Sequence, residues 1–230
     1  MDEYDKMWQA IAKSPFLDVY ISELYWLAKQ VEEETTRIFD DTPPPTQPGE
    51  GYIRVDRVLH ERILTVLLAA ARIRALLHRR SIRGSSARQQ VLLRRTAALR
   101  QALDGIDLAP VLDSAARNSI EHFDEYLDRT AIESYKGEIR RPTLFPVDMV
   151  VSSRSLLERF DVGGDRPTVY FIRAYIADER VFTNFGRELR LEPLRDCCSA
   201  IRRRLEPLLP DFAREERGAF MLVVTADSFS

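Results

Sequence analysis

Within the stretch Ala115–Arg129, AARNSIEHFDEYLDR, an arginine, an asparagine and a histidine fall at Arg117, Asn118 and His122. An imidazole titrates near neutrality and can take or give a proton. A guanidinium stays charged, and its planar fork matches an anion. Asn118 precedes the histidine by about one helical turn. On a helical wheel Leu112, Ala116, Ile120, Phe123 and Leu127 gather on one side, which is expected to face a core. Asn118, His122, Glu125 and Arg129 gather on the opposite side, with Arg117 and Asp124 on one flank and Tyr126 on the other. The cluster is either a solvated helix face making ordinary neighbour contacts or a small catalytic site. Among thirty arginines and three histidines an R-x4-H match alone discriminates poorly; an asparagine directly after the arginine narrows it.

Other groups able to do chemistry are fewer. From Arg72 to Leu103 the chain holds nine arginines and no acid. Arg94, Arg95 and Arg100 are the candidate phosphate contacts there, since rows of arginine on a helix can track a nucleic-acid backbone. The stretch has no aromatic residue to stack on bases, and the competing reading pairs these arginines with the acidic first helix and the acids around His122. Tyr170, Phe171, Tyr175, Phe182 and Phe185 form either a ligand surface or, as β-strands more often arrange them, one packed sheet face. Cys197 and Cys198 are adjacent, poorly placed for a mutual disulfide, and have no histidine near them to complete a zinc site. His60 and His78 are too far apart on one helix to share a metal. No serine sits in a nucleophile elbow, and Gly163–Gly164 lacks the context of a phosphate loop. No metal or cofactor is expected.

The elements that must position the cluster are mainly helical up to Tyr135. Ser14–Pro15 suits a helix start, and Phe16, Val19, Tyr20, Leu24, Leu27, Ala28 and Val31 recur at the spacing of one buried stripe before DDTPPPTQPGEG breaks the helix. A second helix, about Val55 to Leu77, is apolar nearly all round and reads as the central member of a bundle. A third, RQQVLLRRTAALRQAL, ends at DGIDLAP; a fourth starts near Pro110 and carries the motif. Short connections imply antiparallel packing, hence a four- or five-helix bundle over 1–135. Over 136–230 the texture changes. PTVYFIRAYIADERVFTNFGRELRL alternates as a hairpin with its turn near Ala177–Asp178, a last helix spans roughly Glu192–Leu209, and GAFMLVVTADSFS offers one more strand. The fold class expected is α+β: a helical bundle with a small C-terminal β-hairpin addition. Apolar residues at 45% can supply a sizeable core, and a net charge of −2 gives no whole-chain attraction to nucleic acid or membrane. The acidic N-terminus is unlike a signal peptide and the longest aliphatic run, Ile63–Ala71, is too short to span a bilayer, so a cytoplasmic protein is expected.

RNSIEH resembles the R-N-x3-H motif of HEPN domains (higher eukaryotes and prokaryotes nucleotide-binding), helical bundles that carry it on a late helix. The resemblance covers about Ser14 to Tyr135 by architecture and six residues by motif. It implies a metal-independent endoribonuclease of toxin–antitoxin or phage-defence type, acting as a homodimer through the fourth helix, with RNA as substrate and an antitoxin or regulatory protein as a further partner. By that resemblance Arg117 holds the scissile phosphate and its developing charge, His122 is general acid or base at the 2′-OH or the leaving 5′-oxygen, and Asn118 orients the ring or binds phosphate. The product would carry a 2′,3′-cyclic phosphate. In HEPN toxins paired with nucleotidyltransferase antitoxins a tyrosine stands two residues after the histidine; here that position is Asp124, so silencing by tyrosine modification is not implied. Glu121, Asp124, Glu125 and Asp128 repel RNA unless arginines from elsewhere compensate. Residues 136–230 have no counterpart in a minimal HEPN domain. The alternative is a catalytically silent dimeric bundle binding a protein or nucleic acid, with the same cluster as an interface network.

Overall fold

The computed structural model describes residues 6, 9, 16–45, 51–78, 86–113, 118, 122–138, 143–159 and 168–209. Helix α1, Phe16–Asp41, buries Leu24, Leu27, Ala28, Val31 and Ile38 along the stripe expected of it, but Val19 near its start is 60% exposed. After a short strand β1, Ile53–Val55, helix α2 runs from Arg57 to Leu77. Its start is set by Asp56, whose carboxylate accepts a hydrogen bond from the Leu59 amide at 3.0 Å. Helix α3, Ser86–Ala102, adds Leu99, with Leu103 buried in the turn that follows.

The expected fourth helix is not continuous. A short helix α4, Ala109–Leu112, ends where Asp113 turns extended, and helix α5, Phe123–Tyr135, begins afresh after His122. An aspartate bonds readily to local backbone outside a helix, which favours an end at such a residue.

The chain then forms β2 (Thr143–Leu144), β3 (Met149–Val151), a short helix α6 (Arg154–Glu158), β4 (Thr168–Val169), β5 (Arg173–Ile176), β6 (Val181–Asn184) and β7 (Arg187–Arg190). The β-rich part is more than a hairpin: β1, β3, β5, β6 and β7 make one five-stranded sheet in that order, antiparallel except for the parallel pair β3–β5, and β2 pairs with β4 in parallel. The turn expected near Ala177–Asp178 joins β5 to β6, and a second turn at Phe185–Gly186 extends the meander to β7. Its outer strand β1 comes from the N-terminal half, a pairing across about a hundred residues that no local pattern encodes.

Val150, Tyr175, Phe182 and Leu189 stand opposite one another across β3, β5, β6 and β7, and this row packs onto the helices. Helix α7, Leu191–Leu205, lays Leu191, Leu194, Cys198, Ile201 and Leu205 against α1, and a 3-10 turn follows at Glu206–Leu208. Helix α1, not the more apolar α2, is therefore the member with long neighbours on both sides. Sheet and helices share one core. The strand expected from GAFMLVVTADSFS lies outside the described residues. Among those described, no helix is long and apolar enough to cross a membrane.

Candidate functional site

His122 sits at the cap of α5 with φ −111° and ψ 36°, outside helical values. The helical turn is nevertheless kept on both sides: its amide donates to the Asn118 carbonyl at 3.0 Å and its carbonyl accepts from the Tyr126 amide at 3.1 Å. Asn118 is exposed, and the His122 side chain is 52% exposed. The structure thus brings Asn118 and His122 to consecutive turns facing outward, as the wheel required; Arg117 lies outside the described residues. His122 Nδ1 is 3.1 Å from Glu125 Oε1. A carboxylate only accepts, so a bond there places a proton on Nδ1, and in the neutral ring Nε2 is then the acceptor.

Helix α5 uses the side the wheel assigned to a core only in part: Phe123 packs there, Leu127 does not. Leu127 is 40% exposed, and the buried residue of the helix is Thr130. No residue of α5 belongs to the shared core. Instead Phe123 and Tyr126 rest on Phe185, with ring centroids 5.2 and 5.7 Å away. Around them, Arg173 lies over Phe123 at 5.7 Å, and Arg187 and Arg129 over Tyr126 at 4.8 and 5.3 Å.

Phe185 holds this position at a cost. With φ +48° at Phe185 and +71° at Gly186, the turn between β6 and β7 has both central residues left-handed, the geometry that suits the twist of a tight hairpin. Glycine adopts it freely, whereas a bulky side chain loses about 1–2 kcal/mol. The aromatic contacts offset that strain.

Deeper in, a polar group spans helix and sheet. Arg173 and Asp148 form an ion pair at 2.6 Å, both side chains largely buried, and Asp148 is itself left-handed at φ +59°. The Asp148 carbonyl accepts from the Asp56 amide at 2.9 Å. His60, 1% exposed, donates from Nδ1 to the Asp56 carbonyl at 3.0 Å, while its Nε2 is buried with no hydrogen-bond partner among the described residues. Burial holds the imidazole below its usual range, helped by Arg173 and opposed by the Asp56 carbonyl and the Asp148 carboxylate. Sequence reading treated His60 only as a metal candidate; a polar residue inside an apolar helix was the available signal.

The arginine-rich candidates take structural positions. Arg95 reaches the Ala75 carbonyl at 3.4 Å and lies over Tyr20, and Arg100 bonds the Leu77 carbonyl at 2.8 Å. Both guanidiniums thereby serve the C-terminal end of α2, where carbonyls lack helical partners. Arg94 is half-buried on α3. Pairing with the acidic first helix occurs at Arg72–Glu23 and Arg62–Asp41. Cys197 and Cys198 are buried and free; burial pushes the Cys197 thiol up to about 11 and Cys198 well above the ordinary range, which disfavours the reactive thiolate at both. Among the aromatic candidates Tyr175 and Phe182 are core, and Phe185 is the one that leaves the sheet for α5.

On the other flank of α5 a groove of about 360 Å³ opens, lined mainly by Leu127, Ala131, Tyr135, Phe145 and Ile172. Among the described residues, no group of three or more His, Cys, Asp or Glu is placed to hold a metal ion. Compared with protein-family models, with curated proteins and with solved structures, the chain finds no match.

Proposed function

We propose that this chain is a HEPN-like, metal-independent endoribonuclease. The observation carrying the reading is His122: exposed, one turn after Asn118, with Nδ1 engaged by Glu125 and Nε2 open. In that arrangement Nε2 takes the proton of a ribose 2′-OH as the oxygen attacks the adjacent phosphorus. The bond to the 5′-oxygen breaks, that oxygen takes a proton from water, the 2′-OH proton passes from Nε2 back to solvent, and a 2′,3′-cyclic phosphate remains. Glu125 is a positioning residue, fixing ring and tautomer. Asn118 and Arg117 are assigned to the phosphate, where a guanidinium suits the charge developing on its oxygens. Two copies meeting through α5 would form the cleft, and a toxin or phage-defence role with an antitoxin or other regulatory protein is the biological setting proposed.

The test is cleavage of varied RNAs by purified protein in the presence of a chelator. Wild type is expected to cut and His122→Ala, folded to the same extent, to be inactive. Equal inertness of both proteins would remove the reading.

A second reading is favoured by the groove beside α5. Tyr135 on its rim is 85% exposed, with Leu144 and Phe145 also exposed. Such a surface fits a silent bundle that associates with a second copy of itself. Leu127→Asp is then expected to shift a dimer to monomer in sizing chromatography, and a wild-type monomer would dismiss it.

A further inference from the structure

The exposed acids near His122 leave open where cations for an RNA chain would come from. The hairpin supplies one. Arg187 on β7 and Arg129 on α5 both lie over the ring of Tyr126, so their guanidiniums converge on one side chain although far apart in sequence. Among the described residues, neither is ion-paired with a carboxylate. Glu125 is engaged by His122 instead of Arg129 one turn on, and Glu188, next to Arg187, is taken by Arg154 at 2.8 Å. Glu133, one turn beyond Arg129, pairs with neither guanidinium. A guanidinium stacked on a ring keeps its N–H edge free for oxygens in its own plane.

The placement follows from the helix. Counting about 100° per residue, Arg129 projects within about 20° of His122, and both lie near Tyr126. Asp124 and Asp128 project roughly 160° away from Tyr126, on the far side. The stripe that carries the imidazole is thus cationic at its other end, about 10 Å along the axis. Every other described cation around the aromatic cluster is committed: Arg173 is bound to Asp148.

We infer that Arg129 and Arg187, gathered on Tyr126 by the β6–β7 hairpin, form a subsite for the phosphates of single-stranded RNA continuing past His122. The choice of RNA rests on the ribonuclease reading. Phe185 then has a role beyond packing, since its strained turn sets Arg187 beside the helix. The C-terminal β-rich part then adds Arg187 to the contacts carried by the helical part.

Binding of a short fluorescein-labelled oligouridylate is measured by anisotropy across a salt series, with His122→Ala as parent so that cleavage does not intrude. Arg129→Ala and Arg187→Ala are each expected to weaken binding about fivefold at low salt. Each also flattens the slope of log affinity against log salt by about 0.7, the loss of one phosphate contact to a single strand. Arg203→Ala, with the same change in net charge at an exposed position of α7, keeps the parental slope. Arg187→Lys restores the slope, which a packing defect would not allow, and Arg129→Ala lies on an exposed helix face where folding is not at risk. Parental slopes in both alanine variants, or no salt-dependent binding by the parent, overturn the subsite. Flattened slopes without cleavage by wild type would sink the nuclease reading alone; cleavage with unchanged slopes would sink the subsite alone.

Discussion

Phe185 stacks on Tyr126 with ring centroids 5.7 Å apart and planes 26° from parallel. This contact, that of Phe185 on Phe123, and the Arg173 and Arg187 guanidiniums over the same two helix rings join the helix following His122 to the sheet. The strain in the Phe185 turn and the position of the candidate site are therefore one question.

Phe185→Ala should leave the shared core intact while loosening α5. The expected cost is about 1–2 kcal/mol, below that of a fully buried phenylalanine because the ring is half-buried. Hydrogen exchange checks it: amides of Tyr126–Tyr135 should exchange faster, and those of α1 and α7 should not.

His60 makes stability depend on acid. Its folded value is held below the ordinary 6.5, so below that pH the unfolded chain binds a proton that the native chain refuses. The stabilisation is complete above the unfolded value and is lost as pH falls below it, by at most about 1.4 kcal/mol per pH unit. Urea unfolding between about pH 7 and pH 5 should show this loss, and His60→Leu should flatten it.

Removing one partner of the Arg173–Asp148 pair leaves a largely buried charge. Arg173→Met should cost about 2–3 kcal/mol, and adding Asp148→Asn should recover a good part of it. A double-mutant cycle in urea reads the coupling directly; simple additivity would show the two charges to be independent.

Glu125 acts on catalysis only through His122 in the proposed mechanism. Glu125→Gln should lower kcat about tenfold and leave KM nearly unchanged. Single-turnover kinetics on RNA checks it; a purely surface role would leave kcat unchanged.

Much of the helical framework was legible in order. The stripe of Leu24, Leu27, Ala28 and Val31, the apolar run of α2 and the final helix announce themselves because helical periodicity is local. So is the outward direction shared by Asn118, His122, Glu125 and Arg129. The same wheel failed for Leu127, because it assumed that α5 continues a bundle helix and packs where such a helix would.

What order alone determined is which side chains share a turn and a face: rotation per residue depends only on backbone geometry, so the imidazole and its glutamate are neighbours before anything packs. Only the tertiary structure decided what lies beyond that helix. β1 pairs with β3, His60 is sealed beneath the sheet, and Arg173, Phe185 and Arg187 arrive around Phe123 and Tyr126 from strands and a turn about fifty to sixty residues later. Those meetings are set by burial of the common core and by strand register, which act between segments far apart in the chain and leave no periodic trace in either one.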